Sequence, residues 1–201
     1  MTEGEPGVVL ALAHVAAELR RLHVRFALVG GLGISVRAEV RFTRDVDLAI
    51  DVSSDAEVKR LVRELAGVGY RVVALVEHDE RKRLATVRLA SPSGVVVDLL
   101  AASSGIEADI VAAAQPAALE RAGEIPVAGA EHLLAMKVLS LTDRRLQDRI
   151  DAKNLVLANA DLDLDRVRSA LQAITERGFH RGQDLGAKLA AVLEDARREL
   201  E

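Results

Sequence analysis

The chain has 201 residues, of which 50% are hydrophobic, and it contains no cysteine. A chain of this size can bury a core without disulfides or a structural metal, and the lack of thiols excludes cysteine catalysis and zinc–thiolate sites. The formal net charge is −4 and only 2% of the residues are aromatic, which excludes a wholly basic surface and an aromatic stacking platform, so any nucleic acid must bind at a local patch.

The N-terminal segment and the apolar runs indicate the compartment. Residues 1–7 are acidic and polar, whereas a secretory leader is basic and then apolar. No apolar run approaches the roughly 18 residues that are needed to span a bilayer. The sequence therefore predicts a cytoplasmic protein with no membrane partner.

In chain order, the first predicted elements are a helix over residues 8–23, a strand over 26–29, a helix over 32–40, a strand over 45–52 and a helix over 55–66. Apolar residues three and four apart predict the helices, and short apolar or alternating runs predict the strands. Gly30-Gly31 separates the first strand from the second helix, and Ser53 and Ser54 offer N-caps to the third helix.

Three β-rich runs follow, over residues 70–76, 84–89 and 95–100. Short links join them, one of which is the charged loop 77–83, so the sequence predicts a mostly antiparallel extension of the sheet. Beyond about residue 128 only helical patterns remain, over residues 130–141, 143–159, 164–177 and 185–200. The predicted fold class is α/β (α+β): residues 1–128 form a small mixed sheet flanked by helices, and residues 129–201 form a helical C-terminal subdomain.

Three aspartates are the candidate catalytic and metal-binding residues. Side chains alternate across a strand, so Asp45 and Asp47 project from one face while Val46 and Leu48 project from the other. Crowded carboxylates need cations, and hard oxygen ligands suit magnesium. Asp98 lies in an otherwise apolar strand, where a charge has no packing role, and we expect its carboxylate within about 6–8 Å of the other two. Three such carboxylates can form a two-metal Mg²⁺ site.

The residues before the acidic pair suit a polyphosphate. Gly30 and Gly31 form a turn without side chains, so backbone N–H groups at the start of the following helix can approach phosphate oxygens. Arg41, Thr43 and Arg44 add two guanidinium groups and a hydroxyl. Together with the aspartates, these residues predict phosphoryl transfer from a nucleoside triphosphate.

This pattern resembles the nucleotidyltransferase superfamily of DNA polymerase beta type. The matching residues are Gly30-Gly31 after a hydrophobic strand, Arg41-x-Thr43-x-Asp45-x-Asp47, and Asp98 on a later strand. The likeness to the AbiEii/AbiGii abortive-infection toxin family extends further and covers roughly residues 25–158. Lys137 followed by Gln147-Asp148-x-x-Asp151 is similar to that family's helical lysine and its Lys-Asp-x-x-Asp motif, except that Gln147 stands where the family commonly has lysine.

The resemblance implies a role for each matched residue. Gly30 and Gly31 would hold the triphosphate, Asp45 and Asp47 would bind both Mg²⁺ ions, and Asp98 would bind the second ion and help to activate the acceptor hydroxyl. The predicted nucleotidyltransferase catalytic domain is residues 1–128.

The predicted helical subdomain would contribute a cation. Lys137 would neutralise phosphate charge, and we expect Arg41, Arg44 and Lys137 to be the cations nearest to the acids. Asp148 and Asp151 are weaker candidates, because ion pairs within one helix, with Arg144 and Arg145, explain them equally well. Lys137 itself is open to a second interpretation, as a solvated surface lysine.

Family members are toxins of toxin–antitoxin pairs, and some add nucleotides to the acceptor end of transfer RNA. The resemblance therefore implies a nucleoside triphosphate, an RNA acceptor and a cognate antitoxin as partners. Two alternatives stay open from the residues alone. One is an antibiotic-modifying nucleotidyltransferase, since a mildly acidic protein attracts a cationic aminoglycoside. The other is a non-catalytic binding module on the same fold, against which the presence of all three acids argues.

Overall fold

The protein is described by a computed structural model over residues 5–78, 81–142 and 144–200. Its helices are α1 (Glu5–Arg21), α2 (Gly30–Arg37), α3 (Asp55–Gly67), α4 (Glu107–Ala113), α5 (Ala130–Ser140), α6 (Leu146–Ala158), α7 (Leu164–Glu176) and α8 (Leu185–Leu200). Its strands are β1 (Phe26–Leu28), β2 (Asp45–Ile50), β3 (Arg71–His78), β4 (Arg83–Ala90), β5 (Val96–Leu100), β6 (Gln115–Leu119) and β7 (Gly123–Val127).

The strands form one mixed sheet in the order β3-β4-β5-β2-β1-β7-β6. The predicted antiparallel extension is confirmed for β3, β4 and β5. It joins the rest of the sheet through a parallel pairing of β5 with β2, and β2 pairs antiparallel with β1. The mixed α/β fold class predicted from the sequence is thus confirmed.

Three elements were not predicted: α4, β6 and β7. The two strands form an antiparallel hairpin in which Pro116 and Pro126 are direct partners. Proline has no N–H group to donate to a neighbouring strand and is confined to edge strands and to strand ends. These segments therefore lack the usual composition of a strand. The hairpin joins the sheet through the parallel contact of Leu28 in β1 with Val127 in β7.

Helices cover both faces of the sheet. On one face, α1 and α3 pack over alternating strand residues such as Leu28, Leu48 and Val97, all of which are fully buried. On the other face, α4 to α8 pack over Ala27 and Ala49. Because side chains alternate along a strand, Asp45 and Asp47 lie on the same face as Ala49, towards the C-terminal helices.

The C-terminal helices share a core with the sheet. One hydrophobic cluster contains Val29 and Ile110 together with Leu134, Leu155 and residues of α7 and α8. The division at residue 128/129 remains a prediction.

The boundaries of the predicted elements agree closely with those described. Within the predicted loop 77–83, β3 continues to His78 and β4 begins at Arg83, and positions 79 and 80 lie outside the described residues. The predicted helix 143–159 is α6, and position 143 also lies outside them. Across the described ranges, no helix is both long enough and apolar enough to cross a membrane.

Candidate active site

The glycine turn between β1 and α2 lies directly against the acidic strand β2. The Val29 N–H donates to the Asp47 carbonyl at 2.9 Å, and Gly30 follows in the left-handed region with a φ of +57°. A Cβ atom on Gly30 would lie 1.9 Å from Asp47 Oδ2. Both the backbone conformation and the contact with the carboxylate therefore require glycine. Helix α2 begins at Gly30 itself, earlier than the predicted start at Leu32.

The three predicted aspartates lie together at the parallel pair of β2 and β5. The register places Asp47 beside Asp98, while Val46 and Leu48 point to the opposite, fully buried face. One carboxylate oxygen can be chosen from each of the three aspartates so that all three oxygens lie within 4.8 Å of one another. This spacing is shorter than the expected separation of about 6–8 Å, and it allows shared cations to contact all three carboxylates.

The crowding of these carboxylates changes the ionisation of Asp47. Burial, followed by the negative charges of Asp45 and Asp98, raises the pKa of Asp47 from 3.8 to about 7. The positive charge of Lys137 and the Gly31 N–H group lower that pKa, but by less. A cation among the three carboxylates would offset both the cost of burying the charge and the repulsion between the carboxylates, which favours the binding of a cation.

We expect the metal-free protein to lose stability as the pH rises, relative to the Asp47→Asn variant. Because the pKa of Asp47 is raised in the folded state, the folded protein binds the Asp47 proton more tightly than the unfolded chain does. The stabilisation by this proton is fully present below pH 3.8 and is lost as the pH rises through about 7. A shift from 3.8 to about 7 corresponds to a loss of at most about 4 kcal/mol in the free energy of unfolding. Urea unfolding in a chelating buffer at acidic and at mildly alkaline pH measures it.

Asp51→Asn is the matched control for this experiment. Asp51 lies just beyond the end of β2, is half-buried and pairs with Arg25. The difference between wild type and Asp47→Asn should depend on pH, and Asp51→Asn shows how much of any change comes from the replacement of Asp by Asn near the same strand. Parallel pH profiles for wild type and Asp47→Asn would show that Asp47 titrates at its ordinary pKa.

The three predicted phosphate-binding residues between α2 and β2 make different contacts. Thr43 is buried, and its hydroxyl donates to Asp45 Oδ1 at 2.7 Å, so it positions a carboxylate. Arg41 lines the cavity beside the carboxylates. Arg44 is exposed, with its guanidinium 5.5 Å from the centre of the Phe42 ring, and the structure does not bring it into the cavity wall. Their roles in phosphate binding remain predictions, of which the geometry favours that of Arg41.

Arg88 on β4 is a cation that the sequence interpretation missed. Its Nε and Nη2 atoms donate to the two oxygens of Asp98 at 2.9 and 2.7 Å, and this bond raises the pKa of Arg88. The expectation that Arg41, Arg44 and Lys137 are the cations nearest to the acids is therefore wrong. A signal was available, because antiparallel pairing across the turn at residues 91–94 places residue 88 opposite residue 98.

Lys137 of α5 is held by two carboxylates of α6. Its Nζ atom lies 2.6 Å from Asp148 Oδ1 and 2.8 Å from Asp151 Oδ2, and its side chain is only 14% exposed. The interpretation of Lys137 as a solvated surface lysine is therefore wrong. Arg41 also pairs with Asp151: its Nη2 atom donates to Oδ2 at 3.1 Å, and its Nε atom lies 2.9 Å from Oδ1 without the geometry of a hydrogen bond.

Ion pairs within one helix explain only part of the acidic motif on α6. Arg145 lies 3.6 Å from Asp148, as the helical spacing allows. Asp151 instead bonds to residues of other elements and accepts from Gln147 Nε2 at 2.8 Å. The amide of Gln147 thus contacts the motif at the position where the resemblance leads us to expect a lysine.

These groups open onto a cavity of about 950 Å³. The glycine turn, the three aspartates and residues of α5 form much of its wall. The cationic side chains in the wall are Arg41, Arg88, Lys137, Arg145 and Arg181. Ligand pockets commonly measure about 300–1,000 Å³, so the cavity can hold a nucleotide together with part of an acceptor.

The mixed sheet, the glycine turn and the carboxylate cluster define the class of protein. The same fold occurs in an antigenic nucleotidyltransferase-like protein from Paracoccidioides brasiliensis, which is 18% identical with a TM-score of 0.53 over 94% of each chain. It occurs also in the antibiotic-resistance factor ANT(2'')-Ia, which is 15% identical with a TM-score of 0.50 over 94% of this chain and 97% of that chain. The protein has the nucleotidyltransferase fold.

The sequence itself then gives the family. The family model described as "Nucleotidyl transferase AbiEii toxin, Type IV TA system" matches residues 11–200. The chain belongs to this family and is a nucleotidyltransferase. The match extends on both sides of the region, residues 25–158, in which the motifs lie. A search of curated protein sequences finds no match.

Proposed function

We propose that the protein transfers a nucleoside monophosphate from a nucleoside triphosphate to RNA, at a two-Mg²⁺ site formed by Asp45, Asp47 and Asp98. We propose the acceptor end of transfer RNA as the site of addition. The observation that carries the proposal is the convergence of three carboxylates within 4.8 Å of one another, in the wall of a cavity that also contains the Gly30 turn.

The donor set fits magnesium. All three candidate ligands are carboxylates, which are the hard oxygen ligands that Mg²⁺ prefers. A bound cation would also relieve the repulsion from Asp45 and Asp98 that, after burial, raises the pKa of Asp47. Asp45 and Asp47 would hold both ions. Asp98 would hold the second ion, which must share that carboxylate with Arg88 or displace Arg88 from it. Bound Mg²⁺ would neutralise charge on the reacting phosphate and lower the pKa of the acceptor hydroxyl.

The protein's own groups would bind the triphosphate beside the acids. Backbone N–H groups of Gly30 and Gly31, at the start of α2, would bind phosphate oxygens, and the Gly31 N–H group also interacts with the Asp47 carboxylate. Arg41 and Lys137 lie in the same cavity wall and would offset part of the roughly four negative charges of a triphosphate. Asp151 would act as a positioning residue, because it bonds to both of these cations.

The family supports the acceptor and the biological role. Its description as a toxin of a toxin–antitoxin system suits an enzyme that modifies an RNA essential to the cell. On this proposal a cognate antitoxin counteracts the protein.

Incubation with each labelled nucleoside triphosphate, Mg²⁺ and either total RNA or an aminoglycoside panel tests the proposal. We expect label to enter RNA of transfer RNA size, to be absent in the presence of EDTA, and to return when Mg²⁺ is added in excess. Transfer from no triphosphate to any RNA would contradict the proposed function.

One observation favours a second candidate, the modification of a cationic antibiotic. Glu77 lines the cavity and is exposed, and over the ranges that the structure covers it has no ion-pair partner. A free carboxylate of this kind suits an aminoglycoside amine. In the same experiment, label on an aminoglycoside and none on RNA would establish this candidate.

A further inference from the structure

A second pair of cations lines the cavity apart from the predicted phosphate-binding residues. Arg145 immediately precedes α6, and Arg181 lies in the loop between α7 and α8. The predicted phosphate cations Arg41 and Lys137 are tied to Asp151. The Nη2 atom of Arg181 instead donates to the Ser103 carbonyl at 3.1 Å.

The loop that carries Arg181 packs against the loop between β5 and α4. Arg177 Nη1 donates to the Gly105 carbonyl at 2.6 Å. The buried Phe179 packs so closely on Gly105 that a Cβ atom there would lie 2.4 Å from Phe179 Cδ2. These contacts hold the loop immediately before Arg181, and the bond to the Ser103 carbonyl positions the Arg181 guanidinium itself.

The Arg181 guanidinium has N–H donors that no described residue uses. A guanidinium carries five N–H donors, and the bond to Ser103 uses one of them. Within residues 5–78, 81–142 and 144–200, no carboxylate lies within ion-pair distance of Arg181. The carboxylate that acts on it electrostatically is Glu107, and Glu107 Oε1 already accepts four hydrogen bonds, from the N–H and hydroxyl groups of Ser103 and Ser104.

The positive charge of Arg145 adds to the positive charge around Arg181. Arg181 is an exposed residue, and partial desolvation of its guanidinium, followed by the positive charge of Arg145, lowers the pKa of Arg181. Arg145 lies 3.6 Å from Asp148, but that carboxylate is shared with Lys137 at 2.6 Å. Among the described residues, Arg181 thus has no carboxylate partner and Arg145 has only a shared one, so an anion would bind favourably to these exposed guanidinium groups of the cavity wall.

We propose that Arg145 and Arg181 form an anion subsite that binds a backbone phosphate of the acceptor RNA. This inference rests on the proposed function, because it concerns how the same site recognises its acceptor. Planar guanidinium groups match the geometry of phosphate oxygens, and their charge opposes entry of a cationic aminoglycoside. The subsite therefore selects a polyanionic acceptor.

Arg145→Gln and Arg181→Gln test the inference with unfractionated transfer RNA as the probe. Glutamine removes the charge, and at position 181 it still offers an N–H donor for the Ser103 carbonyl. Each variant should raise the KM for transfer RNA about tenfold or more with little change in kcat, since a charge-assisted hydrogen bond is lost. The slope of the logarithm of the transfer RNA binding constant against that of salt concentration should fall by about one. Affinity for a non-hydrolysable triphosphate should stay unchanged.

Arg121→Gln is the matched control. Arg121 is exposed, lies outside the cavity wall, and has a left-handed backbone like Arg181, with φ values of 67° and 56°. Transfer RNA affinity equal to that of Arg121→Gln would overturn the inference, as would a loss of triphosphate affinity, which would assign the arginines to the nucleotide. If wild type labels RNA, either result leaves the proposed function intact. If wild type labels only a small molecule, the proposed function and the subsite fail together.

Discussion

Replacing Asp45 or Asp47 by Asn is expected to reduce nucleotidyl transfer by at least about a thousandfold and to leave the protein folded. Each side chain would bind both Mg²⁺ ions, and a neutral amide is a much weaker ligand for a hard cation. Metal ions contribute several kcal/mol to stabilisation of the transition state, and each 1.36 kcal/mol is tenfold in rate. Transfer of label to RNA measures the rate, and circular dichroism checks the fold.

The fold should survive because the substitutions keep the shape of the side chain. The Thr43 hydroxyl, now 2.7 Å from Asp45 Oδ1, can still donate to the amide oxygen of an asparagine at that position. At position 47 the change removes a charge from a crowded acidic cluster, which relieves repulsion. Asp51→Asn serves as the control with the same chemical change near the same strand, and it should retain wild-type activity. Full activity in either Asp45→Asn or Asp47→Asn would end the assignment of these residues as metal ligands.

Replacing Asp151 by Ala is expected to lower the free energy of unfolding by about 3–5 kcal/mol. The Asp151 side chain is 1% exposed and pairs with both Arg41 and Lys137. Removing Asp151 leaves Arg41 without this carboxylate partner and leaves Lys137 with Asp148 alone, in a poorly hydrated environment. Because those cations line the cavity, the affinity for a triphosphate should fall as well. Urea unfolding and calorimetric titration measure the two effects.

Two further variants show whether the burial of Asp151 is the cause of the expected loss in the free energy of unfolding. Asp165→Ala removes an exposed aspartate that pairs with Arg168 on the same helix, and should change the free energy of unfolding by less than about 0.5 kcal/mol. Lys137→Ala should cost less than Asp151→Ala, because Asp151 keeps its bonds to Arg41 and Gln147. If Asp151→Ala were no more damaging than Asp165→Ala, the buried network would not be what joins α6 to the site.

The sequence by itself determined the features that depend on one short segment. The alternation of Asp45, Val46, Asp47 and Leu48 was sufficient to place two carboxylates on one face, because the two-residue period of a strand is a local property. The glycine turn was readable for the same reason, and the structure adds that Gly30 must also admit the Asp47 carboxylate. The helix and strand boundaries were recovered to within a few residues in most elements. The β6–β7 hairpin was missed because its prolines hide strand propensity and its pairing with β1 is not local.

Only the tertiary structure decided which charges meet. Lys137 has the sequence context of an ordinary helical lysine, and its 14% exposure and its two carboxylate partners arise when α5 packs against α6. The bond between Arg88 and Asp98 follows from strand register, and the surplus charge at Arg181 follows from the position of a loop between two helices. Periodicity reports which face of an element is apolar. It carries no information about which polar groups face each other across separate elements, and those pairings determine the electrostatics of this site.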